Sequence, residues 1–402
     1  MNDYLSTRIK NISESLTLSL VAKTLELKKR NKPVISLAIG EPDWSCLECA
    51  KNAAITAINA NKIKYTSANG MLELRREISN RFEELYGIYY NMDEITAGSG
   101  AKYILTSVFQ TLLNEKDEVI LLAPYWLSYP DMIELTGAKC KIIKNDSFKI
   151  SPDDLKNAIN KKTKILLLNS PSNPSGIMYS KDELLLLAQE LRKHEQIIIV
   201  SDEIYNEIIF DKDLSLAHNL VSLAPDLKNR IVCINGASKT YAMTGYRIGW
   251  ALGPKKIINK MTAYQSQTTG SASQVSQIAC IAALKDKSSY IKDLNLTLLK
   301  KKILVCLTIE KIKNLDYINP DGAFYIFLNI KNFFNLSYKG KIISNSEDFA
   351  NILLNEFYVV TLAGSYFGTE GYLRITLATS TKQILEGLER LENFVNTLKH
   401  VN

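Results

Sequence analysis

The sequence predicts an α/β protein, with a large domain on a mostly parallel seven-stranded sheet and a smaller α+β domain. Short apolar runs alternate with helical stretches from about residue 94 to residue 252. Most of these runs are unbroken Val/Ile/Leu rather than alternating, the pattern of strands buried on both faces. Beyond about residue 286 the rhythm changes to a long helical stretch, separate strands and a last helix. With 402 residues, two domains are the natural expectation.

The predicted strands of the large sheet are Glu94–Ala97, Glu118–Ala123, Lys139–Ile143, Lys164–Leu168, Ile197–Ser201, Ile231–Ile234 and Ile248–Leu252. Ser180 with Glu183 forms a capping box that opens a helix running to about Lys193, and Ser151-Pro152 opens another. Strand–helix alternation over this length implies parallel strands covered on both sides. In the C-terminal third a helix is expected over Asp286–Ile312, then strands at Ala323–Asn329, Tyr358–Thr361 and Tyr372–Leu377. Ser380 with Gln383 starts the last helix, whose apolar residues Ile384, Leu385, Leu388, Leu391, Phe394, Val395 and Leu398 trace one face. The large domain is placed at 45–285 and the small one at 1–44 with 286–402, with no repeat or low-complexity linker between them.

Composition narrows the classes of function. Hydrophobic residues at 46% and charged residues at 23% describe an ordinary globular chain. The net charge of +7 is dispersed, and its dense points (Lys28-Lys29-Arg30, Lys300-Lys301-Lys302) fall in helix-like segments. Without a basic stripe or a binding module, no nucleic-acid partner is expected. Cys46 and Cys49 form a C-x-x-C with no second ligand pair, so no metal is expected. Scattered cysteines suit a reducing compartment. MNDYLSTRIKN has no apolar signal core and no run approaches a membrane span, so no membrane partner is expected and a cytoplasmic location is.

The segment richest in chemistry is GASKTYAMTGYRIG, residues 236–249, which follows the strand IVCIN. Lys239 thus lies just past a strand's C-terminal end, where open α/β sheets bind ligands. Burial and a nearby cation would lower its pKa, making the amine neutral and nucleophilic, and Arg247, eight residues on, is one source of that charge. Arg247 is equally suited to clamp a phosphate. A surface lysine and a structural arginine in a Gly-rich turn remain the plain alternative.

Other segments carry similar pairs of readings. In ITAGSGAKY a strand turns through glycines into a helix, aiming free N–H groups at an anion, with Gly100, Ala101 and Lys102 at the mouth. Asp202 ends the apolar strand IIIVSD, where a carboxylate needs either a positive partner or a helix to cap. Trp126 in PYW is either a stacking aromatic or a core residue. In YLRITLA, alternation puts Tyr372, Arg374 and Thr376 on one face, where an arginine is usually solvated.

Together, LAIGEPD, KYT, GSGAK, PYW, NSPSNPSG, SDEIY, the lysine segment, GAFY and YLRI appear in the order of one known family. From about residue 5 to 395 the chain resembles class-I aminotransferases, most closely the bacterial aspartate and aspartate/prephenate branch. The resemblance implies a fold-type I transferase that holds pyridoxal 5'-phosphate as a Schiff base on Lys239. Asp202 would keep the ring nitrogen protonated, Asn173 and Tyr205 would bond the phenolic oxygen, and Trp126 would stack on the ring. Gly100, Ala101, Lys102, Ser238 and Arg247 would form the phosphate cup. The family usually has glycine at position 101, so alanine here implies a backbone that tolerates a Cβ.

Arg374 would clamp the substrate's α-carboxylate, with Asn173 and the Gly40 backbone completing the grip. Ser15, Thr17 and Lys102 would meet the side-chain carboxylate; capping a helix is the other reading of Ser15 and Thr17. Tyr65 would reach the phosphate of a neighbouring subunit, making the enzyme a homodimer with shared sites. The implied reaction is a reversible ping-pong transfer of an amino group from L-aspartate to 2-oxoglutarate. Prephenate-using members of the branch often carry Lys-Pro where this chain has Ser13-Glu14, which speaks against prephenate. Aminotransfer to prephenate, aromatic residues or alanine, or a lyase reaction, are the alternatives on the same fold. A non-enzymatic regulator would be expected to carry a helix-turn-helix ahead of the transferase segment. The family also places cis prolines at Ala123-Pro124 and Asn173-Pro174.

Overall fold

The computed structural model describes residues 4–10, 12, 16–211 and 213–400. Seven strands form the large sheet: β1 (Ile95–Gly98), β2 (Glu118–Ala123), β3 (Lys139–Lys144), β4 (Thr163–Asn169), β5 (Ile198–Asp202), β6 (Ile231–Gly236) and β7 (Gly249–Leu252). Their order is β1-β7-β6-β5-β4-β2-β3. β7 runs antiparallel to both of its neighbours, and the other pairings are parallel. Every strand predicted for this sheet is present, with ends displaced by at most two residues.

The apolar runs are buried on both faces because helices pack on each side. Ile120, Leu166, Ile199 and Ile231 belong to one core with residues of helices Leu72–Tyr86 and Lys181–Leu191. Val119, Ile165, Val200 and Val232 face a second core with residues of Ala101–Leu112 and Lys255–Thr268. Alternation within each run therefore divides strand residues between two apolar layers. Ser180, Ser151 and Ser380 each accept the backbone N–H three residues on and open their helices as the sequence requires.

In the C-terminal third, β8 (Asp316–Ile318), β9 (Tyr325–Asn329), β10 (Leu362–Ala363) and β11 (Tyr372–Thr376) form an antiparallel sheet ordered β10-β11-β9-β8. The helix Tyr290–Ile309 is shorter than expected at both ends. Of the strand expected at Tyr358–Thr361 only Val359–Val360 forms, and a separate strand follows at Leu362–Ala363. Tyr358 takes a left-handed conformation as the helix Ser346–Phe357 ends. Val359–Val360 then pairs with Ile35–Ser36, and only Leu362–Ala363 joins β11.

That pairing draws the segment around residues 35–40 across the molecule. The Leu37 carbonyl accepts the Thr376 N–H at 2.9 Å, tying the segment to the end of β11. Ala123-Pro124 and Asn173-Pro174 are cis as expected, and Ser170-Pro171 is a third cis bond. Among the described residues no helix is long and apolar enough to cross a membrane.

Candidate active site

The C-terminal ends of β4, β5 and β6 open into a cavity of about 320 Å³ that also receives groups from β9, β11 and the residue 38–40 segment. Of the residues singled out from sequence, Gly40, Ala101, Lys102, Trp126, Asn173, Asp202, Tyr205, Ser238, Lys239, Arg247 and Arg374 line it.

Lys239 sits just beyond β6, and its Nζ donates to the Gly40 carbonyl at 2.6 Å. Burial, then the positive charge of Arg374, bring its pKa from 10.5 down to about 8, with a smaller contribution from Arg247. The main cation acting on Lys239 is thus Arg374, not the Arg247 that sequence spacing suggested. Asp202 ends β5 fully enclosed, and burial raises its carboxyl to about 6. Tyr129 Oη donates to Asp202 Oδ2 at 2.6 Å, and the Ile204 N–H reaches Oδ1 at 3.3 Å. No helix begins at Asp202, so the capping alternative is set aside.

Arg247 faces the start of the helix Ala101–Leu112. Gly100 precedes that helix with φ +94°, and a Cβ there would overlap Arg247 Nη2. The positive φ favours glycine at position 100, and a side chain there would also push the Arg247 guanidinium aside. Ala101 already has helical backbone, which is why its Cβ is tolerated. Behind it, a Cβ on Gly249 would overlap the Ala101 backbone nitrogen. This packing presents the helix N-terminus and a guanidinium to one space, the arrangement that binds an anion.

Arg374 on β11 is 3% exposed, so the usual solvated arginine is excluded here. Both faces of β11 are covered: Tyr372 packs with Phe327 and Phe367, and Leu373 and Ile375 with the core around Phe324 and Phe349. The guanidinium carbon lies 4.3 Å from the centre of the Tyr325 ring and 5.2 Å from that of Phe367. Its Nη1 donates to Asn173 Oδ1 at 2.8 Å and its Nη2 to the Ala38 carbonyl at 2.5 Å, while Nε has no partner. No carboxylate pairs with it among the described residues, which leaves a buried cation suited to an incoming anion.

Lys102 Nζ bonds Ser128 Oγ at 3.2 Å and lies 5.0 Å from the centre of the Trp126 ring. Burial and the Arg247 charge lower its pKa. Tyr65 does not line the cavity; it is 98% exposed beside Ser271–Val275. Ser15, with Ser13 and Glu14, lies outside the described residues, as does the side chain of Thr17.

The structure adds residues that the sequence motifs did not single out: Tyr129, Asn169, Thr244 and Tyr325 also line the cavity. Asn169 donates to the Asp202 carbonyl at 3.0 Å and accepts the Asn173 N–H at 2.9 Å, bracing the ends of β4 and β5. Tyr325 lies within the GAFY segment and Asn169 at the head of NSPSNPSG, so both had a positional signal. Tyr129 had none beyond lying three residues after Trp126.

Residues 32–391 match the family described as aminotransferase class I and II. A Rickettsia felis protein named "Probable aspartate/prephenate aminotransferase" is 43% identical over 96% of this chain and 95% of its own length. The Bacillus subtilis aspartate aminotransferase is 36% identical over 97% of this chain and 98% of its own. The crystal structure of the Rhizobium meliloti aspartate aminotransferase superposes with a TM-score of 0.95 at 36% identity, covering 99% of this chain and 100% of that one. The architecture, the cavity at the strand ends and these full-length likenesses agree: the chain belongs to the class-I aminotransferases.

Proposed function

We propose that this enzyme moves the amino group of L-aspartate to 2-oxoglutarate, reversibly, with pyridoxal 5'-phosphate held in the cavity. One observation carries the reading: a buried Arg374 without an acidic partner faces the same cavity as a lysine whose pKa lies near 8. An α-carboxylate fits the first, and a carbonyl carbon fits the second.

The chain's own residues suit the cofactor group by group. Arg247, Ser238 and the N-terminus at Gly100, Ala101 and Lys102 would take the phosphate. Asp202 would meet the ring nitrogen, Asn173 and Tyr205 the phenolic oxygen, and Trp126 one ring face. When bound, the cofactor supplies an electron sink for the charge left at the substrate Cα.

Lys239, its amine neutral, would hold the cofactor's aldehyde group, and once released by the substrate amine it would take the proton from Cα as a general base. Asp202, whose carboxylate form is favoured by the Tyr129 hydrogen bond against the burial that raises its pKa, would keep a proton on the ring nitrogen. Arg374 and Asn173 fix the α-carboxylate, so that Cα stays within reach of Lys239. Lys102, with Ser15 and Thr17, would take the second carboxylate of a dicarboxylic substrate. An exposed Tyr65 suits a residue that completes the site of a second copy, and we therefore propose a homodimer. We also propose domain limits near residues 45 and 285. Ile35 and Leu37 pack in one core with residues from Leu294 to Val395, which supports them, although Tyr205 and Ile208 reach into that core.

The test is a half-reaction screen, following the cofactor's absorbance as holoenzyme meets single amino acids, with borohydride trapping and peptide mapping. Aspartate and glutamate should react readily, alanine far more slowly, and Lys239 alone should be labelled. A label on another lysine overturns the reading. The names of the Rickettsia relatives favour a second reading, in which prephenate is also an acceptor. Comparable kcat/KM for prephenate and 2-oxoglutarate would establish that one and remove the argument from Ser13-Glu14.

A further inference from the structure

We propose that Tyr325 is a positioning residue that joins the substrate-carboxylate clamp to the phenolic-oxygen side of the cofactor pocket. The proposal rests on the reading above. Tyr325 is fully enclosed on β9 and touches three working groups at once. Its Oη lies 2.9 Å from the Tyr205 hydroxyl. The face of its ring lies 4.3 Å from the Arg374 guanidinium carbon. Its hydroxyl also abuts Gly40, where a Cβ would overlap it, and the Gly40 carbonyl holds Lys239 Nζ.

The direction of the hydroxyl pair follows from proton counting. A tyrosine hydroxyl has one proton to donate. If Tyr205 donates to the phenolic oxygen of the cofactor, it has none left for Tyr325, so Tyr325 donates to Tyr205. A donor whose oxygen already accepts a hydrogen bond is polarised and donates more strongly. Tyr325 thereby strengthens the bond that holds the phenolic oxygen as an anion, and so lowers the pKa of the lysine-linked chromophore.

The ring acts separately from the hydroxyl. Together with Phe367, whose ring centre lies 5.2 Å from the guanidinium carbon, it packs against the guanidinium while Nη1 and Nη2 bond Asn173 and Ala38. Arg374 therefore meets a carboxylate already oriented.

Two variants separate these actions. In Tyr325→Phe holoenzyme the chromophore's absorbance pKa should rise by about half a pH unit, a fraction of what one direct hydrogen bond is worth. Its Kd for succinate, an unreactive dicarboxylate, should change less than about twofold, because the ring remains. In Tyr325→Leu the succinate Kd should rise about three- to tenfold, as expected for loss of the cation–π face. A chromophore pKa unmoved within about 0.1 unit in the Phe variant overturns the proposal. So does an equal loss of succinate affinity in both variants, which would make Tyr325 simple packing. Trapping of the cofactor away from Lys239 in the unaltered enzyme is a different failure, that of the parent reading, and is visible before any variant is made.

Discussion

Lys239 offers a prediction that needs no substrate. In the cofactor-free protein its ammonium is buried, with Arg374 opposing it, and its pKa lies near 8 instead of 10.5. A lysine whose folded pKa is depressed weakens folding while both states are protonated, below about pH 8. Between pH 8 and 10.5 the unfolded chain holds the extra proton, so stability rises with pH across that window. The gap between 10.5 and about 8, at about 1.36 kcal/mol per pH unit, is about 3 kcal/mol.

Lys239→Met removes the amine while keeping most of the side-chain volume. It also deletes the bond to the Gly40 carbonyl, a loss of about 1 kcal/mol that does not depend on pH. The apo variant should therefore be more stable than the apo parent at pH 7, with the advantage shrinking as pH rises. Extended to a chain of 402 residues, the usual size scaling gives roughly 1–2 °C per kcal/mol. The Tm difference should accordingly change by about 3–6 °C between pH 7 and 10, measured by scanning fluorimetry on cofactor-stripped protein. Taking the difference cancels every other group that titrates in this range. A constant difference, or one that grows in favour of the variant with rising pH, would refute the burial argument. The same physics favours a neutral, nucleophilic amine, because the fold holds it where its charge is unfavourable.

Two further substitutions test the proposed roles. Asp202→Asn should retain cofactor on Lys239, by borohydride mapping, while kcat falls by about 10²-fold or more, as for loss of a preorganised charge partner; kcat above a tenth of the parent value would show that the carboxylate is not needed. Lys102→Met should lower kcat/KM for aspartate by about 10- to 150-fold, the worth of one charge-assisted hydrogen bond, and leave alanine within about threefold. Equal losses for both amino acids would assign Lys102 to the phosphate cup instead of the side-chain carboxylate.

The large sheet was legible because its strands are enclosed on two sides, and a short unbroken Val/Ile/Leu run between turn residues fits few other places in a fold. The small sheet was less so. Asp316–Ile318 carries a charge and a tyrosine on an edge strand, and it takes its structure from β9 rather than from its own pattern. The strand read at Tyr358–Thr361 forms only at Val359–Val360, which pairs with the distant Ile35–Ser36, whereas Leu362–Ala363, just beyond it, pairs with β11. No local window contains that information. Tyr129 and Asp202 likewise meet across 73 residues, and Tyr205 and Tyr325 across 120. Motif order located the groups that face the cavity, whereas the residues holding them became visible only through tertiary contact.

Those long-range contacts also bear on how the two cations work together. The Ala38 and Gly40 carbonyls lie two residues apart on one extended segment, and each accepts from a different cation, Arg374 and Lys239 respectively. The segment is fixed by its pairing with Val359–Val360 and by the Thr376 N–H, so it holds both side chains in register. Arg374 lowers the proton affinity of Lys239 through its charge. A substrate carboxylate bound to Arg374 cancels that charge at Lys239. By linkage, the lysine then takes up a proton more readily with substrate in place than without it. In the proposed reading, the arginine that would select an amino acid by its carboxylate would thus also set the lysine's basicity, low while the site awaits an aldehyde carbon and higher when a proton must leave Cα.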